Sequence, residues 1–219
     1  MSQAVECARQ VIASWSRLYA SRNELLKRYR SVWDIPIRDN AKEVLLESLR
    51  PGARVLEIGS GDRHLEPFLA DHIPGFAYKS MDVDRETRQD FYSLDDVKES
   101  FDAVLLLEVI EHLPFAEGMR LLAQIHDLLS PGGVLLLTTP NLAHPTHFYR
   151  DPTHLTPWSH ESLGGALISL GFYVNALYRI YDAPALEKLL HKYLALPLHR
   201  FLNVDFTHTL VAVASRGGS

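Results

Sequence analysis

Two near-continuous apolar runs, "FDAVLLLEV" (101–109) and "GVLLLTT" (133–139), set the tightest limit on how this chain folds. A strand with one face in water alternates apolar and polar residues. A run without alternation belongs in a parallel sheet covered on both faces. Between the two runs, Leu122, Ile125 and Leu129 recur at helical spacing until "SPGG" breaks the pattern. Upstream, a helix from about 40 to 49 ends at "RPGAR". The short apolar strand "RVLEIG" leads into a glycine-containing turn, and a helix follows near 64–72. "FAYKSMD" is the next strand, after Pro74-Gly75. Downstream, "SHESLGGALISLGF" opens with a Ser-x-x-Ser step and reads as helix. "FYVNALYRI" and "HTLVAVAS" close the chain as strands. This alternation predicts an α/β fold: an open, mostly parallel sheet with helices on both faces.

The segments flanking this core are helical. Val5, Ala8, Ile12, Trp15 and Tyr19 recur at helical spacing, with Val11 and Leu18 beside them. Arg9, Arg17, Arg22, Lys27, Arg28 and Arg30 make this region basic, as a solvated face or as a lid over an anionic substrate. The chain therefore divides into an N-terminal helical lid, 1–39, and one domain, 40–219. A helical insertion at about 183–203 carries Leu186, Leu189, Leu190, Tyr193 and Leu194 at helical spacing. It is expected to pack on the sheet or at the mouth of the site. A homodimer surface or a substrate lid is the next use for it.

Charge and composition narrow the partners. The net charge of −5 argues against a nucleic-acid partner, which calls for a basic face. Cys7 is the only cysteine, so no disulfide forms within the chain. The N-terminus has no apolar core of a signal peptide, and no apolar run is long enough to span a bilayer. A cytoplasmic location and a small-molecule acceptor are expected.

In open α/β sheets, ligands sit beyond the carboxyl ends of the strands. Glycines and acids collect there: Glu57, Gly59 and Gly61 after one strand, Asp82 after the next, then Asp90-Phe91, and Glu108 at the end of "FDAVLLLEV". Glycines let a ligand approach the backbone, and a carboxylate in this place accepts hydrogen bonds from ribose hydroxyls. The fingerprint G-x-G-x-x-G fails because His64 stands where its third glycine belongs, which argues against an NAD enzyme. No Walker P-loop is present.

"VLEIGSGDRH", "MDVD", "DFYSLDDVKESFDAVLLLEVIEHL" and "LLSPGGVLLLTTPN" occur in this order, and together they resemble the motifs of class I S-adenosylmethionine-dependent methyltransferases. The resemblance covers about 41–172. It implies a Rossmann-like sheet of seven strands with the last antiparallel, and S-adenosyl-L-methionine as cofactor. Carried over by position, Glu57, Gly59 and Gly61 border the methionine end of the cofactor, and Asp82 holds the ribose hydroxyls. Asp90 accepts from the adenine amino group with Phe91 against the ring, and Glu108 lies beside the methionine moiety. The family often has a third glycine two residues after Gly61; here Arg63 stands there. "EVIEHL" places Glu111 and His112 at a helix start, where a packing role is favoured.

The stretch "HPTHFYRDPTH" (144–154) follows the "LLLTTPN" strand and so overhangs the cofactor's methyl group. Three readings stay open. In the first it is a structural loop, with Asp151 bonded to local amides beside Pro152. In the second it is catalytic: His154 oriented by Asp151, or His147, removes a proton from an alcohol acceptor. Tyr149, Phe148 and Trp158 then wall the pocket, and Arg150 pairs with a phosphate or carboxylate. In the third, His144, His147, Asp151 and His154 bind a metal; the ligand types suit zinc, but nothing makes the side chains converge, and no metal is expected. Methyl transfer to an oxygen of a sugar, glycolipid precursor or secondary metabolite is the expected reaction. Nitrogen or carbon methylation is one alternative. A non-catalytic S-adenosylmethionine-binding regulator is another, prompted by Arg63.

Overall fold

The computed structural model describes residues 14–190 and 196–217. The expectations attached to Val5, Cys7, Ala8, Arg9, Val11, Ile12, Tyr193 and Leu194 lie outside these residues. Seven strands form one sheet: β1 (Ile37–Arg38), β2 (Arg54–Ile58), β3 (Ala77–Met81), β4 (Phe101–Leu107), β5 (Leu129–Pro140), β6 (Phe172–Ile180) and β7 (Thr209–Arg216). Their order across the sheet is β1-β6-β7-β5-β4-β2-β3. β7 is antiparallel to both its neighbours, and every other pair is parallel. The expected Rossmann-like, seven-stranded sheet with an antiparallel last strand is thus present. Its seventh member, β1, carries no signal in the sequence, because two residues are too short to show a period.

The apolar runs are buried on both faces, as their lack of alternation requires. Leu56, Ile58, Val104, Leu106, Leu135 and Leu137 point into one core layer. Val55, Ala103, Leu105, Leu136 and Val211 point into the other. The first layer is closed by α4 (Phe115–Leu128) and α5 (His160–Ser169), the second by α2 (Ala41–Ser48) and α3 (Leu65–His72). Side-chain caps start the helices as the sequence signals: Asn40 accepts from the Lys42 amide, and Ser159 from the Ser162 amide.

The N-terminal helix α1 (Trp15–Leu26) differs from its expected face. Trp15 and Tyr19 are exposed, whereas Leu18 and Leu25 are buried against α5. The contact is close: a Cβ on Gly164 would lie 2.4 Å from Leu25, and one on Gly165 would lie 2.5 Å from Arg22. The late insertion supplies α6 (Ala185–Leu190) and α7 (Leu196–Leu202). Its leucines do not turn inward as expected: Leu186, Leu189, Leu190 and Leu198 are exposed.

One buried polar network ties the carboxyl ends of β5 and β6 to the start of β7. Asp205 accepts from Arg179 Nη1 at 2.9 Å, Asn141 Nδ2 at 2.7 Å, Thr207 Oγ1 at 2.7 Å and the Phe206 amide at 2.9 Å. Arg179 also donates to the Ile35 carbonyl, so the network joins β5, β6 and β7 to the N-terminal segment.

Candidate active site

β2 ends at Ile58, and the chain turns sharply through Gly59, Ser60 and Gly61. Gly59 sits at φ +76°, and a Cβ there would lie 2.3 Å from Val109 Cγ2. Only a residue without a side chain lets this turn rest on the end of β4. The turn is held by hydrogen bonds from its neighbours. The Gly59 amide donates to Met81 O at 2.8 Å, and the Gly61 amide to Asp82 Oδ2 at 2.8 Å. Ser60 Oγ donates to Gln89 Oε1, and Gln89 Nε2 returns a bond to the Gly61 carbonyl.

Beside the turn lies a cleft of about 500 Å³. Ile58, Met81, Val83, Leu94, Val109 and Leu113 give it apolar walls, and Asp82, Ser93 and Asp95 give it polar edges. Each Asp82 oxygen accepts one backbone N–H, from Gly61 and from Asp84, which aims the carboxylate and leaves further lone pairs for a hydroxyl donor. A rigid apolar slot with an oriented acid at its edge suits a nucleoside.

Not every acid gathered by the sequence reaches this cleft. Glu57 is buried beneath the turn and accepts from the Tyr78 hydroxyl. Burial pushes its carboxyl above the usual range, and burial together with Glu57 pushes the Tyr78 hydroxyl up. Asp90 is turned away from the cleft. It binds the Ser80 amide at 3.0 Å, Ser80 Oγ at 3.1 Å and Lys79 Nζ at 2.9 Å, with Arg63 Nη1 at 3.4 Å. Burial opposes its ionisation, but Lys79 and Ser80 outweigh that and hold its carboxyl below the usual range. Its oxygens face Ser80, Lys79 and Arg63 and it does not line the cleft, so the expected bond to an adenine amino group does not match this arrangement. Phe91 packs half-buried against the core. Ser93, Leu94 and Asp95 line the cleft in their place, a few residues further along the same segment.

Arg63 takes a left-handed backbone, φ +61°, the conformation a glycine at this position adopts freely. Its guanidinium folds back to Glu66 at 3.0 Å and over the Tyr78 ring, not across the turn. Glu108, exposed and also left-handed at φ +53°, hangs its amide on the Thr138 carbonyl and Oγ1. It lines a second cleft of about 420 Å³ with Lys42, His64, Thr138 and His147. The two clefts thus take consecutive residues, Glu108 and Val109, from the end of β4.

The histidine-rich loop does not form one site. His144 and His147 cluster with His208, rings 4.8 to 5.8 Å apart. Burial lowers the pKa of both His144 and His147. His154 turns the other way and meets His112 with ring centroids 4.7 Å apart. The expected set of His144, His147, Asp151 and His154 is therefore split. Asp151 does not orient His154 by a hydrogen bond. Its Oδ1 accepts from the Thr153 amide at 2.8 Å and from Thr153 Oγ1 at 2.6 Å, and its Oδ2 is 3.9 Å from His154 Nε2. The Phe148 carbonyl, 2.7 Å from His154 Nδ1, does the orienting. Trp158 is a core residue, 1% exposed, tilted against Phe115 and donating to the Ile110 carbonyl; it walls neither of these two clefts. Tyr149 and Arg150 stand exposed on the loop.

Glu111 and His112, read as packing residues, each make a defined polar contact. Glu111 is fully buried; its Oε2 accepts from Thr139 Oγ1 at 3.2 Å. Burial, and then the charge of Glu108, push its carboxyl up to about 8. His112 Nδ1 lies 2.9 Å from Thr153 Oγ1.

Residues 28–193 match a family described as "Methyltransferase domain". The chain is 28% identical over 147 residues to the ubiquinone biosynthesis O-methyltransferase of Xanthomonas campestris pv. campestris (strain B100), covering 49% of this chain and 61% of that protein. It is 30% identical over 105 residues to the sterol 24-C-methyltransferase of Yarrowia lipolytica, covering 39% of this chain and 27% of that one. Both matches span less than two thirds of the relative's length. A SAM-dependent methyltransferase from Archaeoglobus fulgidus has the same fold: TM-score 0.63, 17% identity, 89% of this chain and 94% of that one.

Proposed function

The chain belongs to the methyltransferase-domain family, and from that premise we propose that it transfers a methyl group from S-adenosyl-L-methionine to an oxygen of a small molecule. The observation that carries this reading is the apolar cleft against the Gly59 turn with Asp82 oriented at its edge. Its chemistry fits the donor: Leu94, Val109 and Leu113 would enclose the base, and Asp82 would accept from the ribose hydroxyls. When bound, the donor supplies an electrophilic methyl carbon on a sulfonium. What the chain contributes is position and a sink for the proton. Alignment of the reacting atoms accounts for much of the acceleration in such displacements. An alcohol acceptor must also lose its proton, and imidazoles of the 144–154 loop lie beside the end of β4 to assist that.

Support for an oxygen acceptor comes from the Xanthomonas relative, named as an O-methyltransferase. A sugar, a glycolipid precursor or a secondary metabolite carries suitable hydroxyls. The acceptor enters past Glu108, Thr138 and His147, the polar edge of a second cleft whose other walls, Leu45, Leu65, Leu107 and Leu136, are apolar. Arg63, which prompted the reading of a non-catalytic regulator, leaves the turn open by pairing with Glu66 and Asp90.

Titration calorimetry with S-adenosylhomocysteine tests the reading. The wild-type chain binds the product, and Asp82→Ala weakens it about 10- to 100-fold, the worth of hydrogen bonds to a charged acceptor. No heat of binding at millimolar product would sink the proposal.

A further inference from the structure

The end of β4 and the loop after β5 bring Glu111, His112 and His154 together, with ligand atoms all within 4.8 Å of one another. Among the described residues no other set of three such side chains converges in this way. Each of the three is prepared as a ligand. Thr153 Oγ1 donates its only hydrogen to Asp151 Oδ1 at 2.6 Å, so towards His112 Nδ1 at 2.9 Å it can only accept. His112 therefore carries its proton on Nδ1 and keeps a bare Nε2. His154 Nδ1 lies 2.7 Å from the Phe148 carbonyl, which has no hydrogen to give, so its Nε2 is bare as well. An imidazole fixed through Nδ1–H to an oxygen is the usual support of a metal-binding histidine. Glu111 adds the observation that points to a missing partner. It is 0% exposed, and beside the Glu108 carboxyl its Oε1 has no donor that would hold it as a carboxylate. A buried polar atom without a partner is costly.

We propose that Glu111, His112 and His154 bind one divalent transition-metal cation at the end of β4, with coordination positions left open for an oxygen of the acceptor. Two imidazoles and a carboxylate favour manganese, iron, cobalt or zinc over magnesium, which prefers oxygen ligands and its own waters. Glu108, next to Glu111, adds negative charge on the same side. The cation site stands on this geometry alone; its part in the reaction rests on the methyl-transfer reading. There the imidazoles hold an ion that lowers the pKa of the bound hydroxyl, instead of taking the proton themselves. The hydroxyl proton leaves to water, the O–CH3 bond forms as the S–CH3 bond breaks, and the electron pair of that bond stays on sulfur.

The test uses the full chain stripped with a chelator and titrated with Co²⁺, followed by visible absorption and calorimetry. Saturation at one ion per chain is expected. Thr153→Val, which removes the support of His112, weakens binding about 10- to 100-fold. His112→Ala and His154→Ala weaken it more, and His144→Asn leaves it unchanged. Thermal melts of each variant identify any that do not fold, and Thr153→Val then decides. No saturable binding, equal affinity in Thr153→Val and His154→Ala as in wild type, or loss in His144→Asn overturns the proposal. Calorimetry with S-adenosylhomocysteine on the same samples separates the two readings: failure there removes the donor and leaves the cation site standing.

Discussion

Gly59 and Gly61 share a left-handed backbone but differ in what surrounds them, and that difference yields a sharp prediction. At Gly61, φ +50°, an added Cβ meets nothing within 4 Å. Gly61→Ala therefore costs only the left-handed penalty of an L-residue, about 1–2 kcal/mol. At Gly59 the same penalty applies, and the Cβ also runs into Val109 Cγ2 at 2.3 Å. Overpacking adds about 1–3 kcal/mol, so Gly59→Ala is expected to cost roughly 2–5 kcal/mol. In a domain of this size each kcal/mol moves the melting temperature by roughly 2–4 °C. Val109 also lines the nucleoside cleft, so displacing it narrows the slot and weakens S-adenosylhomocysteine binding. The assay is a double-mutant cycle with Val109→Ala, read by urea unfolding. Removing Cγ2 relieves the clash, so Gly59→Ala and Val109→Ala are coupled by about 0.5–3 kcal/mol, whereas Gly61→Ala and Val109→Ala add within about 0.5 kcal/mol. Equal destabilisation by the two alanines, or an additive Gly59–Val109 cycle, would refute the close approach of the turn to β4.

Three further outcomes are expected. Arg179→Met leaves Asp205 charged at 0% side-chain exposure, with its other donors insufficient to compensate; loss of one partner of such a pair costs about 3–5 kcal/mol in urea unfolding. Arg63→Gly loses partly exposed ion pairs but gains a residue at ease at φ +61°, so stability and product affinity both stay near wild type; a large loss of affinity would show that the guanidinium serves the donor. Burial depresses the pKa of His160, with Glu161 and Asp34 opposing and Arg22 assisting. The unfolded chain then binds the proton first. Stability from this group is full above about pH 6.5 and falls as the pH drops through the folded value, so His160→Gln flattens the pH dependence of the urea midpoint in that window.

Much of the fold is written in local pattern. "FDAVLLLEV" and "GVLLLTT" announce strands buried on both faces, and Asn40 and Ser159 announce helix starts that their side chains then cap. Elements held by tertiary contact leave no such trace. Ile37–Arg38 becomes a strand because β6 offers it a free edge. The first helix turns Leu25 inward because Gly164 makes room for it, and Arg22 closes on Gly165, a fact about α5, 139 residues away at the Arg22–Glu161 pair.

The same distinction governs the site. Asp82 was legible because it immediately follows a strand, and the strand fixes where it emerges. Asp90 follows an irregular segment; its carboxylate turned to Ser80 and Lys79, which offer three donors at 2.9 to 3.1 Å, and no spacing rule foresees that. In the loop, Asp151 and His154 stand three apart, which suggests a pair. Yet Asp151 found the nearer amide and hydroxyl of Thr153, and His154 found a backbone carbonyl that sequence cannot display. That exchange of partners is what frees Nε2. Thr153 then carries the influence of Asp151 across to His112, which came from a motif read as packing. Three histidines crowded into eleven residues are thus parted between two places, and the one that matters most to the proposed chemistry joins a glutamate and a histidine more than forty residues upstream. Convergence of this kind is a property of where backbone donors and acceptors fall short. The buried Glu111 oxygen, which meets the Glu108 carboxyl but no donor, is a sign invisible in the sequence that something further binds there.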